Sequence, residues 1–153
     1  MKPIFYFTII LVMFNTQLNG QELAKSGTLV ISSIVQNKEA GGDCGCYYYS
    51  KNHKKDNFIL YWPLNNNGTG KAVIKINNKL TYLDYVNEKL DSDKKAQLFY
   101  FKNNKFNLSG KTISYKTCDT DEKYCESWGE KGDFTLSNLN NSITVKIEGT
   151  CGC

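Results

Sequence analysis

From residue 28 onward the chain is built of short runs in which apolar and polar residues alternate, broken at intervals by asparagine pairs and glycine. The last run shows the pattern best: Ile143, Val145 and Ile147 fall on one face, Thr144 and Lys146 on the other. A period of two is that of a half-buried strand. Asn77-Asn78 separates runs 71–76 and 79–85, Asn103-Asn104 separates 96–102 and 105–108, and Asn140-Asn141 separates 134–139 and 142–148. Asparagine tolerates the positive φ of tight hairpin turns, so each pair predicts a hairpin tip and the three together an antiparallel meander. Residues 28–35, 44–49, 58–62 and 111–117 supply further strands, with loops at 39–43, 50–57 and 65–68. In the run 44–49, Cys44, Cys46 and Tyr48 share one face and Tyr47 and Tyr49 the other.

One segment competes with this reading. Leu83, Val86 and Leu90 stand at helical spacing and Thr81 is a capping residue type, so residues 86–95 are expected to form a short helix or a loop. Eight or nine short strands with no long helix predict an all-β fold, an antiparallel meander forming a small barrel or sandwich.

The amino terminus changes the compartment. Lys2 precedes an apolar stretch over 3–14, and a polar segment ends at Gly20, the three parts of a secretory signal. The expected organisation is a signal peptide over 1–20 and a single β-rich domain over 21–153. The apolar stretch is too short for the roughly twenty helical residues that a bilayer requires, so no membrane span is expected after cleavage. The mature protein is expected to be periplasmic or secreted. The net charge is +4, and all nineteen basic residues are lysine. Without arginine's planar fork the chain lacks the residue best suited to bidentate phosphate and base-edge contacts, which argues against nucleic acid as a partner.

Six cysteines in an exported chain point to disulfides, and six allow fifteen connectivities. Cys44-Gly45-Cys46 and Cys151-Gly152-Cys153 repeat one tripeptide at the two ends of the domain, and Cys118 and Cys125 enclose a loop that a local bond would close. Bonds between the tripeptides would staple the two ends of the domain. A bond inside one tripeptide needs a bend at glycine, and would suit a thiol-disulfide exchanger. If reduced, Cys44, Cys46, Cys151 and Cys153 are four sulfurs able to make a tetrahedral thiolate site for zinc or copper(I). An oxidising compartment disfavours that state, and no cofactor is expected.

Other chemistry is thin. Asp119, Asp121, Glu122 and Glu126 concentrate negative charge around the Cys118–Cys125 loop without the spacing of an EF-hand. Tyr47, Tyr49, Lys51, His53, Lys54 and Lys55 form a candidate surface for an anionic or sugar ligand. No nucleophile is placed beside the single histidine, and neither a phosphate-binding glycine loop nor an HEXXH helix occurs, so no catalytic residue is assigned.

The segments Gly42-Asp43-Cys44-Gly45-Cys46, Lys71 through Lys79, Cys118 to Cys125-Glu126 and Gly149-Thr150-Cys151-Gly152-Cys153 resemble a family of small exported bacterial β-rich proteins of unknown function. The resemblance implies a bacterial source, and hence that Asn67, Asn107 and Asn140 are unglycosylated despite opening Asn-X-Ser/Thr triplets. It carries no activity. The expected function is that of a non-enzymatic, disulfide-stabilised binding protein of the cell envelope or exterior, its partner unidentified. The rival is a metal-thiolate or thiol-disulfide redox protein using the two CGC motifs.

Overall fold

The computed structural model of the protein describes residues 28–36, 38–42, 44–50, 57–64, 70–116 and 127–153. The strands are β1 (Ile31–Ser32), β2 (Ile34–Val35), β3 (Gly45–Ser50), β4 (Asn57–Phe58), β5 (Leu60–Pro63), β6 (Ala72–Ile76), β7 (Lys79–Leu90), β8 (Gln97–Lys102), β9 (Asn107–Lys116), β10 (Ser127–Ser137) and β11 (Ser142–Gly152). Every ladder between them is antiparallel. From β5 to β11 each strand pairs with the next, β5 pairs back to β3, and β11 pairs with β3 from Ile147↔Ser50 to Gly152↔Gly45. The meander therefore closes on itself as an eight-stranded up-and-down barrel, with β1 added beside β6. Of the two predicted architectures the structure is the barrel, and closure removes the exposed edges an open sheet would carry.

Inward-facing residues fill the interior, as expected for a barrel of this strand number. Tyr48, Leu60, Trp62, Ile74, Leu83, Phe99, Phe101, Leu108, Phe134, Leu136 and Ile147 are all buried in one cluster. Close packing is set by glycine where a ring must lie flat on the wall: a Cβ on Gly110 would stand 2.0 Å from Phe99 Cζ. A second, smaller cluster lies on the outer face of β3, β5 and β6. There Ile34 of β2 and Phe58 of β4, paired across their own short ladder, cover Tyr61 and Val73, with Tyr47, Tyr49 and Leu80 packed against them.

The two ends of the barrel are made differently. At one end lie the β6–β7, β8–β9 and β10–β11 turns. Asn77 and Asn78 have φ of 48° and 64°, the left-handed conformation predicted for the hairpin tip. The other two turns work by a different device. Asn103 Oδ1 accepts from the amides of Lys105 and Phe106 at 2.8 and 2.9 Å, and Asn138 Oδ1 accepts from Asn140 and Asn141 at 2.9 and 2.8 Å. In each case a side chain ahead of the turn replaces a backbone partner. The amino-terminal segment packs at this end: Leu29 is buried in the main cluster, and Val30 and Asn77 exchange two hydrogen bonds of 2.9 and 2.8 Å.

Three local expectations are corrected. Residues 28–35 do not form one strand; β1 joins the barrel and β2 the outer pair, so the run changes sheets at Ser33. The run 58–62 likewise divides between β4 and β5 around Ile59. Residues 86–90 are strand, not helix, and the turn follows at Asp91. The pairing of β7 with β8 shifts between Tyr85 and Asn87, so Val86 is an extra, bulged residue. A bulge inserts one position into a two-residue period. Leu83 is buried while Val86 and Leu90 are exposed, so the apolar residues that imitate helical spacing do not share one face.

Candidate functional site at the disulfide end of the barrel

The other end of the barrel carries the cysteines. Cys46 of β3 stands directly opposite Cys151 of β11, and the two are bonded with an S–S distance of 2.03 Å. Cys44 and Cys153, one alternation further out, form a second bond between the same two chain segments. The open choice between bonds within and between the tripeptides is thus resolved as between, and no described cysteine is free. Cys46 and Cys151 are buried inside the barrel, whereas Cys153 is exposed and Cys44 half-buried. The four sulfurs of the thiolate-metal alternative are these two disulfides, and among the described residues no group of three metal-ligating side chains is assembled.

Strand register sets what surrounds the inner bond. Trp62, Cys46, Cys151 and Trp128 form one row across four neighbouring strands, and Leu60, Tyr48, Gly149 and Glu130 form the next row inward. Gly149 matters because it has no side chain: a Cβ there would lie 2.5 Å from Tyr48 Cδ1 and 2.7 Å from the Tyr47 carbonyl oxygen. The Tyr48 ring therefore passes over β11, and its hydroxyl donates to Glu130 Oε2 on β10 at 2.8 Å. Trp128 Nε1 donates to Glu130 Oε1, also at 2.8 Å. Glu130 is only 3% exposed and accepts at both oxygens, as a carboxylate does. The Tyr48 hydroxyl also lies 3.8 Å from Cys151 Sγ. Burial above all, then the charge and hydrogen bond of Glu130 and the charge of Glu88, push the Tyr48 phenol well above its usual range.

Aromatic faces continue the wall. Tyr48 stacks on Phe99 at 6.0 Å, Trp62 packs edge-on against Phe101 at 5.0 Å, and Trp62 stacks on Tyr85 at 6.0 Å. Trp62 is 4% exposed, and its indole N–H has no hydrogen-bond partner among the described residues. After the bulge at Val86, Glu88 pairs with the inward-facing Phe99 and Leu90 with Gln97. Glu88 Oε2 accepts from Gln97 Nε2 at 2.9 Å, and Glu88, Lys89, Leu90 and Gln97 line an opening of about 320 Å³.

The remaining candidates are placed as follows. Tyr47 packs on Phe58 and Tyr61 at 5.2 and 4.7 Å, and its hydroxyl both accepts from the Gly42 amide and donates to the Gly42 carbonyl. Tyr49 packs against the same outer cluster. These tyrosines are therefore not gathered at the barrel mouth. Lys51, His53, Lys54, Lys55, Cys118, Cys125 and the acidic residues Asp119, Asp121, Glu122 and Glu126 lie outside the described residues, as do Asn67 and residues 1–20, where a signal peptide is expected.

Glu130, Trp128 and Trp62 escaped the sequence reading, although a signal for Glu130 was present. Trp128, Glu130, Gly132, Phe134 and Leu136 stand in one two-residue phase, so a carboxylate occupied the inward phase of an otherwise apolar face. Comparison of the chain with protein-family models, with curated proteins and with solved structures gave no match.

Proposed function

We propose that the protein is an exported, non-enzymatic binding protein that works in the cell envelope or outside, and that its ligand site is the disulfide end of the barrel. The carrying observation is a buried carboxylate, Glu130, held by Tyr48 and Trp128 in an aromatic enclosure where the Trp62 N–H is left without a partner. Small-molecule sites orient their ligands by a few fixed polar groups among apolar and aromatic side chains. The two disulfides support the compartment, because paired thiols persist where the medium is oxidising.

Binding is tested by melting the oxidised protein with the dialysable fraction of an envelope or culture extract. A ligand at a hundred times its Kd adds about 2.7 kcal/mol, so the melting temperature should rise by several degrees and return after dialysis. An unchanged melting temperature counts against the assignment. Export is tested by fractionation and intact mass, with cleavage after Gly20 the expected result.

A redox role has one observation in its favour: the Cys44–Cys153 bond reaches the surface, unlike Cys46–Cys151. Insulin reduction by the wild type, set against a Cys151→Ser, Cys153→Ser variant, tests it. Equal rates remove that role.

A further inference from the structure

Charge divides unevenly between the two ends of the barrel. The segments at the asparagine end, residues 28–32, 77–82, 102–108 and 137–143, contain Lys79, Lys102 and Lys105 and no aspartate or glutamate. All three lysines are exposed, and none takes part in an ion pair among the described residues. Two carboxylates on adjoining segments are already matched: Asp84, opposite Lys102, pairs with Lys71, and Glu39 pairs with Lys75. Residues 88–97 at the cysteine end, by contrast, hold Glu88, Asp91 and Asp93 beside three lysines.

Apolar groups accompany this charge. Leu139, at the tip of the β10–β11 hairpin, is fully exposed, although hairpin tips ordinarily take polar residues. Asn138 holds the Asn140 and Asn141 amides, so the leucine is presented on a fixed turn. Val30 and Tyr82 are half-exposed at the same end. There Leu29, Val30, Ile31, Ile59, Ile143 and Val145 line a groove of about 260 Å³, with Ser50 the one polar residue among those described in its wall. Exposed apolar side chains set among lysines suit a membrane interface, where the apolar groups enter the headgroup region and the lysines meet anionic lipid. A protein partner fits less well, because the cores of protein interfaces are depleted in lysine. A second copy of the chain would set the same lysines against one another.

We propose that the asparagine end of the barrel docks on an anionic lipid surface. Leu139, Val30 and Tyr82 enter the headgroup region, Lys79, Lys102 and Lys105 meet the lipid phosphates, and the groove adds apolar surface to the contact. This surface lies at the opposite end from the disulfides, so its test is separate from that of the ligand site above.

The test is sedimentation of the oxidised mature chain with phosphatidylcholine vesicles that contain or lack phosphatidylglycerol. The anionic vesicles should bind at least about tenfold more tightly, and high salt should weaken that binding. Leu139→Ser should weaken it about tenfold, and Lys105→Gln about fivefold. Both side chains are exposed, so the variants keep the fold, which an unchanged melting temperature verifies. Lys95→Gln, at an exposed lysine of the cysteine end, should leave binding unchanged. No sedimentation with anionic vesicles overturns the proposal, as does equal binding to neutral ones. Unchanged affinity in Leu139→Ser also overturns it, because charge alone then accounts for the attraction. A loss in Lys95→Gln equal to that in Lys105→Gln does the same, by showing that neither end is preferred.

Discussion

The two mouths of the barrel solve the same problem, closing a tube of strands, by opposite means. At the asparagine end each turn is local: Asn77-Asn78 takes up left-handed φ, and Asn103 and Asn138 hold amides two and three residues ahead. At the cysteine end the β7–β8 turn uses the same device, Asp91 Oδ1 accepting from the Lys95 and Ala96 amides, but the contacts around the inner disulfide join distant parts of the chain. Cys46 meets Cys151 at a separation of 105 residues, and Tyr48 reaches Glu130 across 82. The asparagine end is lined mostly by apolar residues, Leu29, Ile59, Ile143 and Val145 among them, whereas the cysteine end keeps a carboxylate, a phenol and two indoles. Local devices secure the turns, and long-range ones hold the groups that a ligand would meet.

Breaking the cysteine end should have the largest effect. In the chain-entropy description a disulfide closing a hundred-residue loop stabilises by about 4.7 kcal/mol. Once one of these two bonds is made, the other closes only the short path through Cys44, Gly45, Cys46, Cys151, Gly152 and Cys153, worth about 2 kcal/mol. Replacing all four cysteines should therefore cost about 7 kcal/mol, comparable with the entire stability of a typical domain. Replacing Cys44 and Cys153 alone should cost only about 2 kcal/mol, read from urea unfolding midpoints. Similar losses in the two variants would refute this redundancy.

Gly149→Ala comes next. Its Cβ meets both a ring carbon and a backbone oxygen, so relief requires moving β3, and the expected loss is about 3 kcal/mol. Tyr48→Phe should cost about 2 kcal/mol by leaving Glu130 one donor short.

The same tyrosine predicts an alkaline limit. Its folded pKa is raised above the unfolded value of about 10, so its contribution is complete below pH 10. Above that the unfolded chain loses the proton first, and the contribution declines as pH rises towards the folded value. Stability measured from pH 9 to 11 should fall more steeply in the wild type than in Tyr48→Phe; parallel curves would show that Tyr48 does not carry the effect.

The smallest expected effect lies at the asparagine end. Asn78→Ala should cost about 1 kcal/mol for the left-handed conformation, and Asn77→Ala somewhat more because the Val30 amide also loses its acceptor. Asn78→Gly should be nearly neutral in the same unfolding assay. If these turn variants destabilised as much as Gly149→Ala, the contrast between local and long-range ends would be lost.

This contrast also explains what could be read from the sequence. Turn chemistry and strand alternation act over two to four residues, so the meander, the hairpin at Asn77-Asn78 and the faces of Tyr48 and Ile147 were legible. Whether β11 returned to β3 was not, because closure depends on the sum of twist and stagger over eight strands. Exposed apolar residues at Val86 and Leu90 hid a bulged strand behind helical spacing. Glu130 stood in an inward phase, but the partners that make it part of a site come from β3 and from a neighbouring row of the same strand. The unpaired Trp62 N–H is a property of packing alone and left no trace in residue order.

Because β3 is the first strand of the barrel and β11 the last, their disulfides make the backbone from Cys44 to Cys153 a covalent circle. A single proteolytic cut anywhere within it opens the circle without releasing a fragment. The nicked molecule keeps every strand tethered to its neighbours and can close up again. Where proteases are present, the clasp thus confers tolerance of damage, beyond its contribution to folding stability.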